Sequence, residues 1–307
     1  MNESFLSELS ALGVPVRLGE PLARHTTFGV GGPADFYVAP KTEDHLRLAY
    51  ALARKHGVPV LIFGSGSNIL VGDGGVRGLT IENRTSQVDG PSPNGAGFRV
   101  RVASGVSFAA LARRLSIAGY AGLEWACGIP GSLGGAVMSN AGAYGVSLKD
   151  VLKGVRLADQ RGQVLEASPD ELELGYRRSA FSRGAIRDRV VLSVDLRLEQ
   201  GDPKELRARV RELDAQRRAA QPPGRNCGSV FKNPDEHPAW WYVDQVGLRG
   251  HRIGNAQISE QHTNFVLNLG GARAAEIVAL MELAQTRVRE RFGVELEPEV
   301  ALVGEFT

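Results

Sequence analysis

Two cysteines, Cys127 and Cys227, are all that the 307 residues contain. Two thiols are far too few for a disulfide framework, and no metal-ligand spacing surrounds either. A reducing, cytoplasmic setting is the simplest expectation. Lysine is scarce as well: Lys41, Lys55, Lys149, Lys153, Lys204 and Lys232 are the whole set, so arginine carries the basic side. Net charge is only +2, too small to predict a polyanionic partner. Internal repeats and low-complexity linkers are missing. So are long hydrophobic runs. The nearest approach runs from Trp125 to Leu148, 24 residues without a charge. It holds six glycines, Pro130 and Asn140, too many breaks for a lipid-exposed helix, so buried loops and turns are expected. The opening "NESFLSELSAL" reads as a short amphipathic helix and not as a secretory signal.

What remains is ordinary for a globular chain, with 43% hydrophobic and 23% charged residues. The length suits one large domain or two to three modest ones. The first third alternates elements. "TEDHLRLAYALARKHG" (42–57) sets Leu46, Ala49, Tyr50 and Ala53 on one face, with Thr42 as N-cap and Gly57 as C-cap. "VPVLIF" (58–63) and "GVRGLTIEN" (75–83) read as strands, "GFRVRVASG" (97–105) alternates, and "SFAALARRLSIAG" (107–119) reads as a capped helix. The middle is strand-rich, with a hairpin turning at Gln160–Gly162 and an alternating stretch at 188–201. A boundary falls near Gly201–Pro203. Beyond it come a charged helix (203–220), a short helix (239–247), strands at 251–259 and 263–270, a long helix (272–293) and a last strand over 294–304.

Glycine is over-supplied, 38 residues in 307, against an average of about 7%. The excess gathers in "TTFGVGGPA" (26–34), "GSGSNIL" (64–70) and "GIPGSLGGA" (128–136). None fits the dinucleotide fingerprint: Gly64 and Gly66 begin it, but position 69 is Ile. Successive backbone N–H groups in such loops can still form concave anion sites suited to a pyrophosphate. The plainer alternative is tight turns in a glycine-rich chain.

The order of motifs narrows the choice. "TTFGVGGPA", "GSGSNIL", "GIPGSLGGAVMSNAGAYG", "YRRSAF", "CGSVFKNP", "HRIGNAQISEQHTNFVLN" and "LEPEV" follow one another between about residues 20 and 303. This ordered set resembles the UDP-N-acetylenolpyruvoylglucosamine reductase (MurB) family. The resemblance implies an α+β fold: a two-subdomain FAD-binding unit of the vanillyl-alcohol-oxidase (PCMH) type plus a C-terminal α+β substrate-binding domain. The implied domains are 1–84, with strand 294–304 returning to the flavin side, then 85–202, then 203–293 for substrate. The implied reaction is NADPH-dependent reduction, through FAD, of the enolpyruvyl ether of UDP-N-acetylglucosamine to UDP-N-acetylmuramate for peptidoglycan, with hydride delivered by the reduced flavin. No nucleic-acid or membrane partner is expected, and a monomer is.

The same resemblance assigns residues. FAD falls to Thr27, Gly29 and Gly31, to Gly64, Ser65, Gly66, Ser67 and Asn68, and to Gly128, Ile129, Pro130, Gly131, Ser132, Gly134, Gly135 and Ala136. Substrate falls to Tyr176, Lys232 and Asn233, the last on a phosphate. Arg177 matches the carboxylate-side arginine; its rigid donor fork stays charged and suits a developing enolate. Glu299 matches the acidic residue that helps polarise the substrate carboxylate. Ser229 matches the proton donor, where placement counts for more than a matched pKa. Each has a plainer reading: a surface arginine beside Arg178, a solvated strand glutamate, a serine serving a turn. Glu297 shares the face of Glu299 if the strand is regular, and Pro298 between them is expected to interrupt it. Lys232 and Asn233 are expected to assist Ser229. His262 has no acid–base partner in the sequence, and a structural role suits it equally.

One departure stands out. Arg177 and Ser229 lie 52 positions apart, which leaves no room for the tyrosine-bearing insertion of the family's longer branch. The chain resembles the shorter branch, and Arg217, Arg218 and Arg225 become candidates to cover the diphosphate. A different class of reading is nucleic-acid binding by the arginine-rich helix at 203–220, but Glu205, Glu212 and Asp214 on that helix oppose it.

Overall fold

The computed structural model describes residues 3–306. The chain divides into two compact units. The first takes the residues up to Arg17, Phe36–Ser65 and Gly78–Ala215; the second takes Leu18–Asp35, Gly66–Arg77 and the residues from Gln216 on. Three passages between them occur inside the strands Val16–Pro21, Pro33–Val38 and Val76–Glu82. Those strands and Val60–Phe63 form a four-stranded sheet in the order Val16–Pro21, Pro33–Val38, Val76–Glu82, Val60–Phe63.

The first unit holds two apolar cores. In one, the helices Glu3–Ala11 and Glu43–Lys55 bury Phe5, Leu9, Leu46, Ala49, Tyr50 and Ala53 against Leu79 and Ile81. The spacing of those four residues in Glu43–Lys55 makes one face of a helix. Thr42 caps it, accepting from the His45 N–H at 3.2 Å. Strand Val60–Phe63 runs parallel to Val76–Glu82, with Val60 opposite Leu79. In the other core a six-stranded antiparallel sheet orders its main strands Val164–Ala167, Leu152–Asp159, Arg189–Gln200, Gly97–Ala103 and Val88–Asn94, with Tyr120–Ala121 on the side. Period-2 alternation sends Val100, Val102, Val194, Leu196 and Leu198 inward. The helices Phe108–Ile117 and Leu133–Ser139 cover that face with Phe108, Leu111, Leu115, Leu133 and Val137.

The second unit packs the helices Ala239–Gln245 and Ala274–Phe292 on the three-stranded antiparallel sheet Arg252–Ile253, Ala256–Ile258 and Val266–Asn268. The long helix starts where Ala274 and Ala275 donate their N–H groups to the Asp73 carboxylate at 2.9 and 3.1 Å. It stops at Gly293, whose φ of 68° an L side chain would resist. Strand Ala301–Val303 lies parallel to Ile69–Val71.

Three expectations need correction. The strand expected over 251–259 is two short strands turning at Gly254. The last strand is not continuous over 294–304: only Ala301–Val303 forms a ladder, and an isolated bridge joins Pro298 to Phe231. Pro298 lies between two paired residues there and does not end the pairing, because the bonds fall to Glu297 and Glu299 and need no proline N–H. The uncharged stretch is loops, short strands and one seven-residue helix, and no described helix is long and apolar enough to cross a membrane.

Candidate active site

In the first unit two glycine loops meet. A Cβ at Gly64 would fall 2.1 Å from Ser132 Oγ and 2.5 Å from Ser132 Cβ, so only glycine lets the loops approach this closely. Ser132 is also the N-cap of Leu133–Ser139, accepting from Gly135 N–H. The first-turn donors of this helix are already engaged: Leu133 N–H bonds Val106 O at 2.9 Å and Gly134 N–H bonds Ser104 O at 2.7 Å. Just before the helix, the N–H groups of Gly128, Gly131 and Ser132 donate to no acceptor among the described residues. The space beside Gly135 is open, with Ser132 Oγ at 3.6 Å the nearest atom to a Cβ there. The N–H groups of Gly64 and Ser65 donate to no acceptor among the described residues.

In the second unit the N–H groups of Gly66, Ser67 and Asn68 are likewise without an acceptor among the described residues. Unused successive N–H groups on a glycine loop are the chemistry of an anion nest. Gly66 O accepts from Thr27 N–H at 3.1 Å, which ties this loop to "TTFGVGG". A Cβ at Gly66 would fall 2.2 Å from His25 O, one at Gly31 2.8 Å from Val71 Cβ. The Arg225 side chain lies across Gly29, 3.0 Å from where a Cβ would sit.

Ser229 lies in an extended stretch of the second unit, after Gly228 with its φ of 85°. The stretch is held from both sides. Val230 N–H donates to Asn264 O at 2.9 Å, and the buried Asn264 side chain grips Phe231, taking its N–H and donating to its O, both at 2.9 Å. Opposite, Glu299 N–H donates to Val230 O and Lys232 N–H to Glu297 O, each at 2.8 Å. Glu299 is thus paired with the residue that follows Ser229. Its carbonyl accepts from the Asn68 side chain at 3.1 Å, so the second glycine loop also fixes the glutamate's backbone. Ser229 and Glu299 are both half-buried, whereas Glu297 is exposed.

The neighbours of Ser229 are occupied otherwise than expected. Lys232 Nζ pairs with Glu297 Oε1 at 2.5 Å. Asn233 Oδ1 accepts from Ala239 N–H at 3.0 Å at the start of a helix, so its carboxamide serves the helix start. Burial pushes the Cys227 thiol pKa far up, and the charge of Glu299 adds to it, so Cys227 is a neutral packing residue. Burial lowers the pKa of His262, aided by the charge of Arg249. Its Nδ1 accepts from Asn264 N–H at 3.3 Å, a structural use of a neutral imidazole.

Arg177 belongs to the first unit. Gly175 and Arg178 exchange backbone bonds at 3.0 and 3.3 Å, leaving Tyr176 and Arg177 at the tip of a tight turn. Arg177 takes φ 50°, a position that turns of this kind reserve for glycine or asparagine. An ordinary L residue there costs about 1–2 kcal/mol. Backbone strain of this sort gathers at functional sites. Tyr176 is 62% exposed, and the Arg177 guanidinium sits over its ring at 5.9 Å.

Comparison with known proteins decides the family. A C-terminal-domain model of UDP-N-acetylenolpyruvoylglucosamine reductase matches residues 219–303, and an FAD-binding domain model matches 34–168. Proteins named UDP-N-acetylenolpyruvoylglucosamine reductase from Synechococcus sp. and Rubrobacter xylanophilus are each 43% identical; the matches cover 98% and 97% of this chain and 95% and 98% of theirs. The chain belongs to the UDP-N-acetylenolpyruvoylglucosamine reductase family. A solved family member, the MurB of Thermus caldophilus, aligns with a TM-score of 0.76 at 34% identity, covering 95% of this chain and 99% of the other. The fold is accordingly the α+β FAD-binding unit with a C-terminal α+β domain, and the protein is an FAD-dependent oxidoreductase. The unused N–H groups and the open space by Gly135 fit a phosphate-bearing cofactor.

Family motifs drew attention to Ser229 and Arg177 but not to the residues that hold the stretches carrying them. Asn264, in "HTNF", and Asn140, in "MSNAGAYG", are both buried. A buried amide outside any helix signals a side chain bonded to backbone, but burial is not readable from a motif string.

Proposed function

We propose that this protein catalyses the NADPH-dependent reduction of UDP-N-acetylenolpyruvoylglucosamine to UDP-N-acetylmuramate, a step of peptidoglycan precursor synthesis. Residues of the three glycine loops would hold FAD, with the N–H groups of Gly64–Asn68 toward its pyrophosphate. When bound, FAD supplies two-electron transfer from the nicotinamide to the substrate double bond. Reduction at the methylene carbon leaves negative charge on the adjacent carbon and its carboxylate. Arg177 binds that carboxylate through its planar donor fork. Glu299, taking up a proton beside the substrate carboxylate, donates a hydrogen bond to that group and helps to polarise it. Ser229 gives its hydroxyl proton to the adjacent carbon, and its backbone clamp fixes the face on which that proton arrives.

The observation that carries this reading is the pairing of residues 230–232 with 297–299, which puts Glu299 next to the serine stretch.

The test separates the half-reactions. Ser229→Ala should accept electrons from NADPH at nearly the normal rate, seen as anaerobic bleaching of the flavin band. Recovery of that band on adding the enolpyruvyl sugar nucleotide should be at least about 100-fold slower, the range of a lost acid catalyst. Equal slowing of both phases would refute the proton-donor role.

A further inference from the structure

The turn that carries Arg177 hangs from the end of one helix. Leu133–Ser139 stops on Asn140, whose φ of 44° and ψ of 59° are left-handed and which is 4% exposed. Asn140 Nδ2 donates to Gly175 O at 3.0 Å, and Asn140 Oδ1 accepts from Lys149 N–H at 3.0 Å. On the far flank Ser179, fully buried, donates its hydroxyl to Met138 O at 2.7 Å. Both sides of the 175–178 turn are thus bonded to residues 138–140. The other end of the same helix is Ser132, the residue that excludes a side chain at Gly64.

We propose that Asn140 is a positioning residue for Arg177, fixing the arginine turn relative to the glycine loop at the helix start. This rests on the reading of Arg177 as the residue that binds the substrate carboxylate. Three demands meet at position 140. The backbone must be left-handed, which favours glycine or asparagine. A donor must reach Gly175 O, and an acceptor must receive Lys149 N–H. Glycine meets only the first demand and would suffice if position 140 merely ended the helix. Aspartate keeps an acceptor but has no donor when ionised. Gly175 O already receives the bond from Arg178 N–H that closes the turn, so the asparagine adds a second, anchoring bond to the turn's first residue. A turn strained at Arg177 and released at its base has a reason to relax, and relaxation moves the guanidinium.

The experiment uses the FAD-loaded enzyme with Asn140→Asp and Asn140→Gly. Both are expected to reduce with NADPH at a rate within about 2-fold of normal, while reoxidation by UDP-N-acetylenolpyruvoylglucosamine slows by about 10- to 100-fold, the scale for a reacting group misplaced by an ångström. Trypsin should cut faster after Arg177 and Arg178, reporting release of the turn independently of catalysis. If neither Asn140 variant folds, Ser179→Ala cuts the other tether and is read in the same way. Equal slowing of both half-reactions, or unchanged trypsin cleavage, overturns the positioning role. So does normal reoxidation in Asn140→Gly when Arg177→Ala is slow. Normal reoxidation in Arg177→Ala overturns the reading of Arg177 instead.

Discussion

Gly64 offers the sharpest test of how the glycine loops are built. An alanine there would place its Cβ 2.1 Å from Ser132 Oγ and 2.5 Å from Ser132 Cβ, with the nearest backbone atom, Ser132 N, at 3.6 Å. The clash is therefore with one short side chain and not with backbone. Rotating the Ser132 hydroxyl away would give up its bond to Gly135 N–H and still leave Ser132 Cβ 2.5 Å from the new methyl, so the loops must separate. Overpacking of this kind costs about 1–3 kcal/mol, equivalent to about 5- to 150-fold in an equilibrium constant. If the loops must touch to hold FAD, that cost falls on FAD affinity, measurable by titrating apoprotein and following flavin fluorescence. The rescue is specific. Gly64→Ala combined with Ser132→Gly removes both clashing atoms, and glycine as an N-cap costs only a few tenths of a kcal/mol. The double variant should return to within about 3-fold of normal affinity. Normal FAD binding by Gly64→Ala alone would refute the packing argument, and so would failure of the double variant to recover.

Three further outcomes follow from other residues. Asn264→Ala removes two bonds to Phe231 and leaves two buried backbone groups unpaired, at about 1–3 kcal/mol each. Its urea midpoint should correspond to a loss of about 2–6 kcal/mol, and a loss below about 1 kcal/mol would mean the clamp is idle. Arg177→Gly relieves the left-handed strain; after glycine's larger unfolded-state entropy is subtracted, stability should rise by about 0.5–1 kcal/mol while substrate-driven reoxidation collapses. A fall in stability would show that φ 50° is not a burden. For His262, burial holds the folded pKa below the unfolded value of about 6.5. The unfolded chain then takes the proton first as pH drops through that value, so stability is lost on acidification and unaffected above it. His262→Gln should flatten the fall in urea midpoint between pH 7 and 5, and an unchanged slope would contradict it.

Much of this could be read from local pattern, because the physics concerned is local. The Glu43–Lys55 helix follows from Leu46, Ala49, Tyr50 and Ala53 at helical spacing between Thr42 and Gly57. The helix Pro203–Ala220 begins and ends where its proline and the following "QPPG" put it. The last strand was harder to foresee. Its residues 294–300 look extended, but whether they form a ladder depends on which partner lies alongside, and only residues 301–303 find a parallel neighbour in Ile69–Val71. Lys232 shows the same limit. Next to Ser229 in sequence it suggests assistance, whereas the antiparallel pairing with 297–299 sends its ammonium to Glu297.

What no local pattern could reveal is the way asparagine holds the site. Asn68 bonds the carbonyl of Glu299, Asn140 that of Gly175, Asn264 both backbone groups of Phe231, and Asn268 the carbonyl of Phe28 at 2.8 Å. The separations in sequence run from 33 to 240 residues. A carboxamide carries the same donor and acceptor as a peptide group, so it can complete a backbone bond where no strand lies alongside. Loops that bear reacting residues need such bonds most, because they lack the ladder that steadies a sheet. Aspartate would bring a charge into buried ground, and serine would not reach. Asparagine amides bonded to the backbone of Glu299, Gly175, Phe231 and Phe28 therefore steady irregular stretches within each unit, and each anchor stands far in sequence from the group it holds.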